Sequence, residues 1–241
     1  LIAQAVSAVL VTVTLMYRTE GMKLCLSQIR MYKRMLQSIL KIGLPAGFEA
    51  IMYSISNIIV QVSINNFGVD TMAAWTAYSK IDFIFWMINS AFGISVMTFV
   101  GQNYGAGKWD RIRRGTKICL GMALISAVSV SIILMSAERF LFGIFVNDAG
   151  VVEIGIRMMN VIAPAYLLFA FIEVFSGALR AQGAVVVSTL ITMVGICVLR
   201  MIWVTLVAAH GTLEQVIICY PITWAAGALA MSIYYIYKQR K

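Results

Sequence analysis

Negative charge is scarce in this chain. Ten Asp and Glu stand against 19 Lys and Arg among 241 residues, and charged residues of both signs make up 12%. Soluble domains carry roughly twice that fraction, so an ordinary water-exposed surface is excluded. Histidine occurs once, at His210, and the four cysteines (Cys25, Cys119, Cys197, Cys219) lie far apart with no Cys-x-x-Cys. Those spacings argue against a metal site or a disulfide framework and read as buried free thiols. Proline occurs three times, at Pro45, Pro164 and Pro221, so long helices are seldom interrupted. No Gly-x-x-x-x-Gly-Lys-Ser/Thr loop is present, so nothing within this chain offers ATP a phosphate cradle.

What fills the chain is apolar. Hydrophobic residues reach 61% and the mean hydropathy is +0.88. A spanning helix needs about 20 mostly apolar residues, and the runs here are long enough for six complete spans and part of a seventh. Leu1 to Tyr17 reads as the end of one span. Residues 18–42 are basic, with Arg18, Lys23, Arg30, Lys33, Arg34 and Lys41 against Glu20. They read as an amphipathic helix on a membrane surface or a plain linker. Six spans follow within residues 43–237, and residues 238–241 form a basic tail. The chain opens in mid-helix without an initiator Met, and we expect it to be a piece of a longer protein.

The topology hangs on one short loop, Gly101-Gln102-Asn103-Tyr104-Gly105-Ala106-Gly107, followed by Lys108, Arg111, Arg113, Arg114 and Lys117. The three glycines are expected to break the helix, and the cations to hold this end on the cytoplasmic side. With that end inside, 15 of the 19 Lys and Arg fall in inner segments. The expected location is the plasma or inner membrane, with the C-terminus cytoplasmic. The net charge of +9 is then a topology signal rather than a nucleic-acid footprint. Residues 137–153 read as a charge-balanced outer connection.

Four motifs resemble the multidrug and toxic compound extrusion (MATE) family of twelve-helix, two-lobe transporters. They are Gly43-Leu44-Pro45-Ala46-Gly47, Gly101-Gln102-Asn103-Tyr104-Gly105-Ala106, Gly177-Ala178-Leu179-Arg180-Ala181-Gln182-Gly183, and Tyr220-Pro221. The resemblance implies an all-α polytopic membrane protein. Residues 43–237 would be the C-terminal six-helix lobe, helices seven to twelve, and residues 1–17 the end of helix six. The N-terminal lobe would be a missing partner, with membrane lipid around both. The implied function is secondary active efflux of organic cations or amphipathic drugs in exchange for H⁺ or Na⁺, with no cofactor beyond that ion and no enzyme activity. Alternatives are a lipid-linked glycan flippase of related fold, an intramembrane enzyme and a non-transporting membrane scaffold. The flippase should show more cationic chamber residues. The enzyme should cluster catalytic groups at one depth, and the scaffold has no need of charges inside spans.

Ionisable groups within spans are costly and so mark candidate sites. Asp82 and Arg200 both fall in the outer half and are positioned to pair, either as a structural lock or as a switch that exchanges Arg200 for an ion or substrate. Lys80, two residues from Asp82, faces elsewhere and is expected to snorkel outward. Glu49 and Glu173 lie near inner span ends, where sodium-coupled members of the resembled family carry acids on the corresponding helices. Each reads as a protonation switch, as an interface residue (Glu49), or as a partner for Arg180 (Glu173). Asn57, Gln61 and Asn65 form a polar stripe at i, i+4, i+8, for interhelical bonding or for a chamber wall. Tyr53, Trp86 and Tyr166, with Met52, Phe85 and Met87, offer an aromatic and thioether wall for a flat organic cation, or simple packing. Pro164 and Pro221 read as mid-span hinges or static kinks.

Overall fold

Apolar periodicity and scarce proline produce helices throughout. A computed structural model describes residues 1–17, 24, 25, 30–207 and 211–240, and these contain no strand. They fall into two compact units, Leu1–Lys41 and Ile42–Lys241. In the first, α1 (Ile2–Tyr17) is apolar on all faces. Its polar Thr12 turns inward on the helix itself, donating to the Ala8 carbonyl at 2.8 Å. Part of the basic segment, residues 18–23 and 26–29, lies outside the described residues, as do His210 and Lys241. From Lys33 onward the chain is helical, where an amphipathic helix or a plain linker was expected.

Among the described residues, six helical stretches are long and apolar enough to cross a membrane. They are α2 (Lys33–Asn65), α3 (Val69–Gly105), α4 (Trp109–Ser136), the pair α6 (Ala149–Ile162) and α7 (Tyr166–Ala181), the broken helix from α8 (Val185–Thr192) through α9 (Leu199–Ile202), and α10 (Leu213–Ile217) with α11 (Cys219–Arg240). Large apolar side chains point outward along them, including Ile125 at 71% exposure and Leu229 at 65%. In water that would be a liability; against acyl chains it is the favourable face. Hydroxyls within the spans bond back to the carbonyl four residues earlier, as Ser95 does to Ala91 at 2.7 Å and Thr98 to Ile94 at 2.9 Å. That satisfies them without water.

The span α6–α7 is the most enclosed, with 67% of its apolar stretch buried, and α7 packs on α3, α4 and α11. The closest approach is at Gly177, where an added Cβ would lie 2.8 Å from the Gly93 carbonyl and 2.9 Å from Val96 Cγ1. Small residues at such crossings let backbones meet and gain dispersion contact. Gly177→Val is therefore expected to push α7 off α3 and cost about 1–3 kcal/mol. A drop in the melting temperature of the solubilised protein checks this, and an unchanged one refutes the crossing.

Several local expectations are corrected. Gly101 does not break α3, which ends at Gly105; Gly107, at φ +67°, makes the turn. Lys108 is the N-cap of α4, which begins at Trp109 and carries Arg111, Arg113, Arg114 and Lys117. The expected connection 137–153 holds a short helix, α5 (Glu138–Phe145), and the capped start of α6. Asp148 Oδ1 accepts from the Gly150 and Val151 amides at 2.8 and 3.0 Å, which caps the start of α6. Pro164 interrupts the α-helical bonding of its span. It sits in a 3₁₀ turn, Ala163–Ala165, between α6 and α7, and the Ser131 hydroxyl bonds the Ala163 carbonyl at 2.5 Å. Pro221 stands in the first turn of α11, within the span Leu213–Arg240, where its missing N–H costs little. Cys25 is exposed rather than buried.

Candidate functional site

The face of α3 that turns toward α2 and α11 carries Trp75, Tyr78, Ser79, Asp82 and Trp86, spaced three or four apart as one helix face requires. Opposite it stand Tyr53, Asn57 and Gln61 from α2, with Tyr220 and Trp224 from α11. Together with Phe83 and Ile162 they enclose a cavity of about 550 Å³, within the range of small-molecule pockets. Of the chamber residues expected from sequence, Tyr53, Asn57, Gln61 and Trp86 line it, as does Asp82. Tyr166 stands one layer behind, fully buried and stacked on Phe85 at 3.8 Å between ring centroids. Met87 is 59% exposed and lines nothing here. Trp75, Tyr78, Tyr220 and Trp224 were missed as chamber residues. Trp75 and Tyr78 share the helix face of Asp82, a signal that was available; Tyr220 was read only as part of the Tyr220-Pro221 motif, and Trp224 comes from a distant helix and gave none.

Asp82 is the polar centre of this chamber. Trp86 Nε1 donates to its Oδ2 at 2.6 Å, and the Tyr166 hydroxyl donates to its Oδ1. The Tyr78 and Tyr166 hydroxyls are linked at 3.2 Å, so one carboxylate anchors a chain of neutral donors. Trp86, Phe169, Tyr220 and Trp224 form an aromatic cluster that begins at its Trp86 partner, with centroids 4.6 to 6.1 Å apart. Edge-to-face contacts of this kind favour one arrangement of the rings.

Among the described residues, Asp82 and Arg200 form no ion pair. Arg200 is fully buried on α9, between two π-helical stretches, Met193–Val198 and Trp203–Val207. Its Nη1 donates to Asn57 Oδ1 at 3.2 Å. Its guanidinium lies over the Tyr220 ring at 4.2 Å and the Tyr53 ring at 5.8 Å. Two aromatic side chains thus occupy the place expected for the carboxylate. The π-helical register is the reason sequence depth misled: extra residues per turn rotate Arg200 away from the face a regular helix gives it.

A second cluster lies further along. Glu173 packs its carboxylate against Gly93, 11 residues from Asp82 on α3 and so about 16 Å along the axis. Arg180 pairs not with Glu173 but with Glu49, Nη2 to Oε1 at 2.6 Å. Thr189 donates to the other oxygen of Glu49 at 3.0 Å. Glu173 stays within electrostatic reach of both Arg180 and Glu49. Residues from α2, α7 and α8 are thereby tied together. The three candidate carboxylates form two centres, not one.

The remaining candidates are simpler. Lys80 is exposed, as snorkelling requires. The polar stripe of α2 works both along and across helices, Gln61 bonding Asn65 at 2.8 Å and Asn57 bonding Arg200. At the basic end, Arg113 bonds the Gln239 carbonyl at 2.8 Å and Lys238 the Gln182 carbonyl at 3.3 Å. Both cations sit at helix C-termini, where the dipole favours them. No group of His, Cys, Asp and Glu suited to a metal occurs among the described residues.

The chain is 25% identical over 216 residues to a probable multidrug resistance protein, YoeA, of Bacillus subtilis, covering 88% of this chain and 46% of that protein. It is 22% identical over 158 residues to human multidrug and toxin extrusion protein 1, covering 63% and 28%. It spans about half the length of curated relatives such as the first of these. A solved structure described as an outward-facing multidrug resistance MATE family transporter of the MOP superfamily superposes with a TM-score of 0.88 at 16% identity. It covers 99% of this chain and 54% of that one. A MOP superfamily transporter from Pyrococcus furiosus, described as having a binding pocket of reverse polarity, also superposes at 0.88, with 15% identity, 99% and 54%. The family model MatE matches residues 45–206, most of the six-span unit and both carboxylate centres. This chain belongs to the MatE family of multi-pass, all-helical membrane transporters, and is not an enzyme.

Proposed function

We propose that this chain forms one lobe of a secondary active antiporter that expels organic cations or amphipathic drugs in exchange for H⁺ or Na⁺. The observation that carries the reading is the cavity walled by Tyr53, Trp75, Trp86 and Trp224 with the Asp82 carboxylate on its lining. Aromatic faces and one carboxylate are the chemistry that holds a flat cation. The carboxylate is also where a competing H⁺ or Na⁺ would act. Glu49 and Glu173 form a second, separate ion-responsive centre. A second lobe completes the transport path, and alternating access rocks one against the other. The end carrying the turn at Gly107 and the α11 terminus faces the cytoplasm, on the strength of its cations. Lys80 points away from the chamber and Arg200 is the one cation adjoining it among the described residues, which weighs against a glycan flippase.

The test is efflux of a cationic dye from pump-deficient cells expressing the full-length transporter that contains this chain, with H⁺ and Na⁺ gradients imposed separately. Efflux that follows one gradient supports the reading and names the ion. A well-expressed, folded transporter that moves no dye under either gradient refutes it.

A further inference from the structure

The outward side of the α3–α4 hairpin carries a groove, on a different stretch of α3 from the chamber. Phe92, Val96 and Phe99 of α3 face Ile118, Cys119 and Met122 of α4 across a space of about 370 Å³. Gly115 shapes one end of it. A Cβ there would collide with the Phe99 ring, so the glycine lets that ring lie close against α4. The walls offer little for hydrogen bonding. The Ser95 hydroxyl donates to the Ala91 carbonyl at 2.7 Å and the Cys119 thiol to the Phe92 carbonyl at 3.7 Å. Ile118 and Met122 are 55% and 56% exposed, so the groove opens away from the lobe, where a bilayer places acyl chains.

Its depth suits one leaflet. The two ends of the groove, Phe99 with Gly115 and Phe92 with Met122, lie six and 13 residues from the helix ends at Gly105 and Trp109. That is about 9 and 20 Å along the axes. With 37 residues, α3 is about 55 Å long and outreaches the ~30 Å hydrocarbon core, so its last turns stand among headgroups. Tyr104 and Trp109 meet edge to face there, 5.2 Å between centroids, and both residue types favour the membrane interface. Charge completes the arrangement. Arg111 lies four residues before Gly115 and seven before Ile118, and Arg114 four before Ile118, so both share the groove's side of α4. Both are exposed, and neither forms an ion pair among the described residues. Arg113 turns instead to the Gln239 carbonyl, and Asp110, next to Arg111 in the chain, is rotated about 100° around the helix from it.

We propose that this groove is a site for an anionic glycerophospholipid of the leaflet at the Gly107 end, with one acyl chain along Phe92, Phe99, Ile118 and Met122 and the phosphate on Arg111 and Arg114. Guanidinium forks match two phosphate oxygens at once. The apolar groove beside them selects a lipid over a soluble anion, and the two cations select an anionic headgroup over a zwitterionic one, whose ammonium they repel.

The experiment uses the full-length transporter that contains this chain, in phosphatidylcholine nanodiscs doped with a trace of phosphatidylglycerol or of phosphatidylcholine bearing a diazirine midway along one acyl chain. After irradiation, mass spectrometry maps the labelled peptides. Residues 92–99 and 115–122 are expected to carry the label, at least about tenfold more of it from phosphatidylglycerol, the combined effect of two cations near a membrane surface. Arg111→Gln should lower that preference about fivefold, and Arg111→Gln with Arg114→Gln should remove it. Lys117→Gln deletes the same charge from another side of α4 and should leave the preference within about twofold. Soluble glycerophosphoglycerol should not compete. Equal labelling of the wild-type groove by the two lipids overturns the proposal even if the variants fail to fold. So do equal effects of Arg111→Gln and Lys117→Gln, which make the attraction a diffuse one, and competition by the soluble headgroup, which makes it a free-anion site. Absence of label from both segments, with cross-links to a second copy in its place, overturns it as well.

Discussion

Replacing Asp82 with asparagine is expected to abolish gradient-driven dye efflux by the full-length transporter while leaving the lobe folded. The carboxylate accepts from Trp86 Nε1 and the Tyr166 hydroxyl, and an amide of the same shape has only one oxygen to offer. One of the two donors then meets an N–H, a local cost of about 1 kcal/mol. The functional cost is larger. A hydrogen bond to a charged group contributes about 1.5–3 kcal/mol, so binding of a cationic substrate should weaken about 10- to 100-fold. An amide also cannot exchange a proton, so efflux should lose its dependence on an imposed H⁺ gradient. Tyr166→Phe removes one donor and keeps the charge, and should cost far less. The measurement is dye efflux against imposed gradients at matched expression. An Asp82→Asn transporter with wild-type, gradient-dependent efflux would move the coupling group to the Glu49–Glu173 centre.

Removing Arg180 is expected to be the most destabilising single change in the lobe. Its ion pair with Glu49 is partly enclosed, at 31% and 14% side-chain exposure, and Glu173 lies within reach of both. Arg180→Leu leaves two carboxylates facing each other without a cation. Breaking a buried pair from one side costs 3–5 kcal/mol, and the residual exposure of Arg180 puts the expectation near ~3 kcal/mol. Thermal unfolding of the solubilised transporter, read by loss of the monodisperse peak, measures it. The second mutation decides the mechanism. Glu49→Gln in the Arg180→Leu background removes one stranded charge and should restore about half of the loss. If the double variant is no more stable than Arg180→Leu, the arginine acts through packing of its stem and not through charge.

Much of this protein is determined by its sequence because the bilayer leaves the backbone few choices. A run of some twenty apolar residues must satisfy every N–H and C=O internally, and only a helix does that. The six spans, the all-α class and the lone charges within spans follow directly; of the chamber face of α3 only Asp82 and Trp86 were read. Four motifs read in order were enough for the family. Tertiary structure decided which charges meet. Glu49, Arg180 and Thr189 lie more than 130 residues apart at the extremes, on three helices, and a periodicity along one helix carries no information about the rotation of another. Depth within a span suggested an Asp82–Arg200 pair. The π-helical stretches around α9 turned Arg200 instead toward Tyr220, Tyr53 and Asn57. Register of that kind is set by packing against α11, a balance of many weak contacts that no local pattern in residues 193–207 records.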